Sequence, residues 1–171
     1  VEGDPQRFFE TARPYAEAAE RETGVPAALS LAIAANETGY GQRRYMAGSN
    51  NYHGIQARAG EAGAVPYKDW RPGAGGQQEF YDAAQRSFAD PAAGFRGFAD
   101  FLTSNPRYAP ALERYRQSGD VNQLAADVHK AGYAEDPAYT TKIQSIIKGI
   151  PVKTGVGEVT DTRGVPVASS G

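Results

Sequence analysis

The stretch from Val25 to Ala57 constrains this chain most. Leu29, Leu31, Ala32, Ile33, Ala34 and Ala35 form an apolar run dense in helix formers, and it reads as a buried helix around which the rest is organised. The run ends in a carboxylate, Glu37, followed at once by Thr38-Gly39-Tyr40-Gly41. Two glycines around one aromatic stop a helix and let the backbone turn sharply. An acid on the last turn of a buried helix is disfavoured as an anion by burial and by the negative end of the helix dipole. Its carboxyl should therefore hold its proton unusually high in pH, as a general acid must. The alternative is a solvated helix-end glutamate, and the neighbours of Glu37 decide between the two.

Before this stretch, Asp4-Pro5 is an N-cap followed by proline at the first helical position, and Phe8, Phe9, Ala12, Tyr15, Ala16 and Ala19 repeat at helical spacing. Pro14 predicts a break or kink, hence two helical pieces reaching Glu22. Val25-Pro26 restarts the chain as the buried helix to about Thr38. From Arg43 to Ala57 the Gly48-Ser49-Asn50-Asn51 run predicts a loop, with Tyr52, Gly54 and Ile55 turned inward. Val65, Tyr67 and Trp70 can pair loosely as a strand. Glu79-Asp82 and Arg86-Phe88 read as two short strands around an Ala-Ala-Gln turn. Further helices are expected from Asp90-Pro91 (core face Phe95, Phe98, Ala99, Phe101, Leu102), from Tyr108 to Tyr115, from Asp120 to Gly132, and from Asp136-Pro137 onward. Residues 1–152 read as one domain, and 153–171 as a linker or flexible tail.

Composition removes several chemistries. With no cysteine there is no disulfide scaffold, thiolate metal site or cysteine nucleophile. Two histidines far apart, His53 and His129, make a zinc site improbable, and neither a metal nor a cofactor is expected. A net charge of -2 gives no electrostatic footprint for nucleic acid. The first residues lack the basic and apolar regions of a signal peptide, and no apolar run is long enough for membrane insertion.

Three features gather around Glu37: the loop Asn50-Asn51-Tyr52-His53-Gly54, a second carboxylate at Glu79, and Gly132-Tyr133-Ala134-Glu135-Asp136-Pro137. Carboxylates with amides and tyrosines are the toolkit for cutting a glycosidic bond. One acid protonates the leaving oxygen, polar groups orient sugar hydroxyls and N-acetyl groups, and aromatic faces stack on the rings. Asp136, before proline at a helix start, is most simply an N-cap. Trp70, Tyr40 and Tyr45 are candidate sugar platforms, with core packing the alternative.

The pattern resembles bacterial endo-β-N-acetylglucosaminidases of the flagellar-muramidase and autolysin type, glycoside hydrolase family 73. Its helix ending in Glu-(Ser/Thr)-Gly-aromatic-Gly is met by Glu37-Thr38-Gly39-Tyr40-Gly41. Its Asn-Asn-aromatic-aromatic-Gly-Ile-Lys loop is met by Asn50-Asn51-Tyr52-His53-Gly54-Ile55-Gln56, and its Gly-Tyr-Ala-x-Asp-Pro-x-Tyr block by residues 132–139. The helix Phe95 to Leu102 and Asn105-Pro106-Arg107-Tyr108 match the block between. Three departures stand out: Gln56 replaces a usual basic residue, Tyr52-His53 replaces a leucine or aromatic pair, and the segment before Glu79 suggests a shorter hairpin.

The resemblance implies an α+β, predominantly helical, lysozyme-like fold with a small β-hairpin lobe flanking the cleft. It implies hydrolysis of the β-1,4 bond after N-acetylglucosamine in peptidoglycan. Glu37 would be the acid, Glu79 the second carboxylate, and Tyr133 the holder of substrate or its N-acetyl group. Tyr133 packing between helices is the alternative for that residue. Tyr40, Asn51, Tyr52, Trp70, Tyr108 and Tyr139 would line the glycan strand, with His53 either a donor to sugar or simply a loop residue, and not a base. The setting would be extracellular, periplasmic or wall-associated, a phage virion or endolysin included, with tethering to other domains. Two rival readings are a lytic transglycosylase and a non-catalytic wall-binding or structural module.

Overall fold

The computed structural model describes residues 3–43 and 48–151. The tail expected from Lys153 and the candidate platform Tyr45 lie outside the described residues. Helix α1 spans Pro5–Thr23, with Asp4 accepting from the amides of Gln6 and Arg7 and Gly24 closing it in the left-handed conformation. It is one helix, not the two pieces that Pro14 predicts. Pro14 lies on the exposed face. Phe8, Phe9 and Ala12 before it and Ala16 and Ala19 after it are all buried, so both halves are held on the core despite the missing amide bond.

Helix α2 (Ala27–Thr38) is buried on nearly every side, from Leu29 through Ala35. A helix apolar all round needs neighbours all round. It finds them in α1, in α3 (Pro91–Ser104) and in α6 (Tyr139–Gly149). A short 3-10 turn, Pro106–Tyr108, leads to α4 (Ala109–Ser118) and α5 (Val121–Lys130); α4 packs on α5, and α5 packs on α6. Alanines at the α1–α2 contact let the backbones approach closely, and Phe95, Phe98, Leu102, Leu124, Val128 and Ile143 fill the remainder of the core.

The sheet among the described residues is a two-stranded antiparallel ribbon, β1 (Val65–Pro72) against β2 (Gln78–Gln85), in register from Val65↔Gln85 to Pro72↔Gln78. This corrects the expected hairpin. Ala83, Ala84 and Gln85 are strand, paired with Tyr67, Pro66 and Val65. The turn is the glycine-rich segment 73–77, in which Gly75 and Gly76 take positive φ and the Gly73 amide donates to the Gln77 carbonyl at 2.7 Å. Arg86 and Phe88 serve instead to lace the ribbon's base to the 49–55 loop, donating to the carbonyls of Ile55 (3.0 Å) and Ser49 (2.7 Å). Beyond this base the ribbon stands out from the helices.

Candidate active site

The turn after Glu37 is built by local bonds. The Thr38 hydroxyl donates to the Ala34 carbonyl (2.7 Å) and accepts from the Gly41 amide (2.8 Å), while the Gln42 and Arg43 amides return to the Thr38 carbonyl. Gly39, Tyr40 and Gly41 all take positive φ. Tyr40 tolerates this because its ring is wedged edge-on against Phe8 and Phe9, at 6.1 and 5.9 Å. Tyr40 thus has a structural task as well as partial exposure to two surface grooves.

Glu37 is half-buried at this corner. Its Oε2 lies against Gly54, close enough that a Cβ there would sit 3.4 Å away, and Gly54 has φ +67°. Burial raises the Glu37 pKa above the ordinary carboxylate value, and the Arg43 guanidinium partly opposes the shift. The charge of Glu37 in turn reaches the hydroxyls of Tyr133 and Tyr139, whose pKa values are pushed up first by burial and then by neighbouring tyrosines and Glu37. The ring of Tyr133 is partly exposed in a groove while its hydroxyl is enclosed by protein; Tyr139 is buried outright. The Tyr139 hydroxyl has no hydrogen-bond partner among the described residues. Tyr108, buried, closes the cluster, its ring 6.2 Å from Tyr133, which lies 5.9 Å from Tyr139. Glu37, its proton affinity raised by burial, thus shares this corner with enclosed phenols whose proton affinity burial also raises.

The Asn50–Ile55 loop supports this arrangement from beneath. Asn51, 1% exposed, spends its side chain on the protein: Nδ2 donates to the carbonyls of Ile55 (2.8 Å) and Arg86 (2.9 Å), and Oδ1 accepts from the amides of His53 and Ile55. His53 is 3% exposed, stacked 4.0 Å from Phe98, with Nε2 3.0 Å from the Ser30 carbonyl. Burial drives its pKa down to about 3, against the opposing Ser30 bond, so the ring is neutral and donates through Nε2. Both side chains are buried and bonded within the protein, although His53 Nδ1 has no hydrogen-bond partner among the described residues. Tyr52 packs on Phe95 at 5.0 Å and lines a separate groove with Tyr15 and Tyr40.

The two residues expected on the β-lobe part company. Glu79 pairs across the ribbon with Arg71 (Oε2–Nε 3.8 Å), and its side chain folds over Gly73 at the tip. Trp70 pairs with Phe80 instead, and the two are 50% and 66% exposed. Alternation along the strands puts Glu79 and Trp70 on opposite faces. Asp136, as expected, serves a helix start. Its carboxylate accepts from the Ala138 amide at 2.9 Å and from Lys142 Nζ at 2.6 Å, although α6 proper begins at Tyr139. Sequence reasoning missed Arg43 and Phe80; the first follows Glu37 by one tight turn, and the second was visible only through strand alternation. Among the described residues no three His, Cys, Asp or Glu side chains converge as a metal site.

The helical body and β-ribbon, with an acid at the corner of a buried helix, define a lysozyme-like glycoside hydrolase. More particularly, the chain belongs to the glucosaminidase family, described as mannosyl-glycoprotein endo-beta-N-acetylglucosaminidase, whose family model matches residues 13–151. It is 35% identical over 153 residues to the peptidoglycan hydrolase FlgJ of Vibrio parahaemolyticus, covering 83% of this chain and 46% of that protein. With FlgJ of Vibrio cholerae the identity is 34%, covering 80% and 41%. The chain thus spans about half the length of these relatives. In structure it is similar to the C-terminally truncated glycoside hydrolase domain of Salmonella typhimurium FlgJ: TM-score 0.67, 30% identity, 86% of this chain and 97% of that one. The catalytic domain of the Listeria monocytogenes autolysin Auto shares the fold (TM-score 0.72, 18% identity, 88% of each chain).

Proposed function

We propose that the chain hydrolyses the β-1,4 bond between N-acetylglucosamine and N-acetylmuramic acid in peptidoglycan. One observation carries this: the buried Glu37 carboxyl, packed on Gly54, faces the enclosed hydroxyls of Tyr133 and Tyr139. Protonated Glu37 donates to the leaving glycosidic oxygen. Tyr133 holds the N-acetyl group or the sugar hydroxyls, and Tyr139 backs its ring from the core at 5.9 Å. Glu79 is the second carboxylate, carried towards the cleft by the ribbon, whose attachment to the body is confined to its base. The peptidoglycan hydrolases named above support the choice of substrate. The reading places the enzyme at the wall, outside the cytoplasm, as one part of a longer multidomain protein.

Mass spectrometry of fragments released from purified peptidoglycan tests the reading. The expected products carry N-acetylglucosamine at new reducing ends and one solvent oxygen per cut. Anhydro-muramic products would make the enzyme a transglycosylase, and an absence of turnover would make it a binding module.

A further inference from the structure

The groove on the far side of Tyr133 has no place in the acid chemistry. It holds about 360 Å³ and is lined by Gly54, Gln56, Asn105, Arg107 and Tyr133 among others. We propose that it is a subsite for a carboxylate carried by the wall glycan, recognised by Arg107; the assignment rests on the hydrolase reading above.

Three observations converge on it. First, Gly54 and Tyr133 belong both to the groove and to the surroundings of Glu37, so the groove adjoins the acid. Second, Arg107 is the one charged residue in the lining, and its guanidinium makes no ion pair or side-chain hydrogen bond with any described residue. The cation that acts on Glu37 is Arg43, so Arg107 is not occupied in tuning the acid. Third, the backbone makes room for it. Gly132, at φ +105°, lies so close that a Cβ there would come 3.2 Å from Arg107 Nη1. Any side chain would both strain this residue and push the guanidinium off the backbone next to Tyr133. The amides of Gln56 and Asn105 flank the site, and no acid competes for the cation. A planar guanidinium with free donors beside two amides suits a carboxylate better than a neutral sugar hydroxyl.

In peptidoglycan such a carboxylate has two sources: the peptide stem, or the lactyl ether where the stem has been removed. Soluble glycan fragments separate them. One set keeps its stems, a second has all carboxyls converted to amides, a third is stripped of stems so that the lactyl carboxylate is exposed, and a fourth is stripped and then amidated. For the full chain, kcat/KM should favour a carboxylate form over its amide by about threefold to tenfold, as expected for one exposed charge-assisted contact. Whichever pair shows the ratio names the source. Arg107→Gln should bring the ratio to about one, Arg107→Lys should retain part of it, and Gln56→Lys should raise it by adding a second cation. A merely structural Arg107 would move rates on all four sets together and leave the ratios alone. Cleavage without discrimination by the wild type, or a ratio that survives Arg107→Gln, overturns the subsite alone. Failure to cut any fragment overturns the hydrolase reading and the subsite with it.

Discussion

The helical corner around Glu37 and the β-ribbon are built in opposite ways. At the corner every element is over-determined: α2 is enclosed, the turn after it is bonded at each residue, and Asn51 and His53 lock the loop beneath. Desolvation there alters chemistry, raising the proton affinity of Glu37 and keeping the tyrosines neutral. The ribbon buries little beyond its base, and its side chains keep water contact, with Glu79 paired to Arg71 and the Trp70–Phe80 pair open. Enclosure sets proton affinity, whereas exposure leaves reach.

The largest expected effect lies at the corner. Glu37→Gln keeps the shape and removes the transferable proton, so lysis of purified wall should fall by about 100-fold to 10,000-fold with the fold intact by circular dichroism. The same burial has a sign in stability. A carboxyl whose folded pKa is raised binds more protons folded than unfolded, so its contribution is full below the unfolded pKa near 4.5 and is lost as pH rises through the folded value. Thermal melts of Glu37→Gln should therefore gain on wild type as pH rises across that window, and the alkaline limb of kcat should lie above the ordinary carboxylate range. A parallel pair of melting curves would mean that Glu37 is solvated and that the corner does not differ from the ribbon.

A smaller loss is expected from the phenols. Tyr133→Phe should cost more than about tenfold in kcat at unchanged stability, since only a hydroxyl is removed. Unaltered activity with lower stability would return Tyr133 to helix packing.

The ribbon gives the smallest effects and tests its two faces against each other. Glu79→Gln should cost at least about tenfold in rate, less than Glu37→Gln, whereas Trp70→Ala should raise KM a few-fold with little change in kcat. If Glu79→Gln costs nothing, hydrolysis relies on the substrate's N-acetyl group with Glu37 as the sole essential acid. If Trp70→Ala lowers kcat while Glu79→Gln does not, the aromatic face is the one turned to the reaction.

Much of the body was legible because its signals are local. The caps at Asp4, Asp90 and Asp120 all accept from the helix amides expected of them. The buried run fixed α2, and Glu37 with its glycine turn stood out by adjacency alone. Pro14 misled because the penalty of one proline is local, while the core contacts that outweigh it are not. The hairpin misled because Ala-Ala-Gln has no positive-φ residue to mark a turn, and the true turn lay in a glycine run with no hydrophobic period beside it. At Asn51 and His53 the residue types suit sugar binding and loop fixing alike, since amides and imidazoles serve ligands and buried loops with the same atoms, and only packing shows their bonds within the protein.

The sequence by itself determined where Glu37 would stand and why burial would raise its proton affinity, for a helix too apolar to be exposed must carry its last turn to the edge of the core. Which polar residues face the cleft, which are spent beneath it, and on which face of the ribbon Glu79 lies were decided only by tertiary structure. These depend on pairing register and on what packs behind each side chain, and such contacts join residues tens of positions apart, which local spacing does not encode.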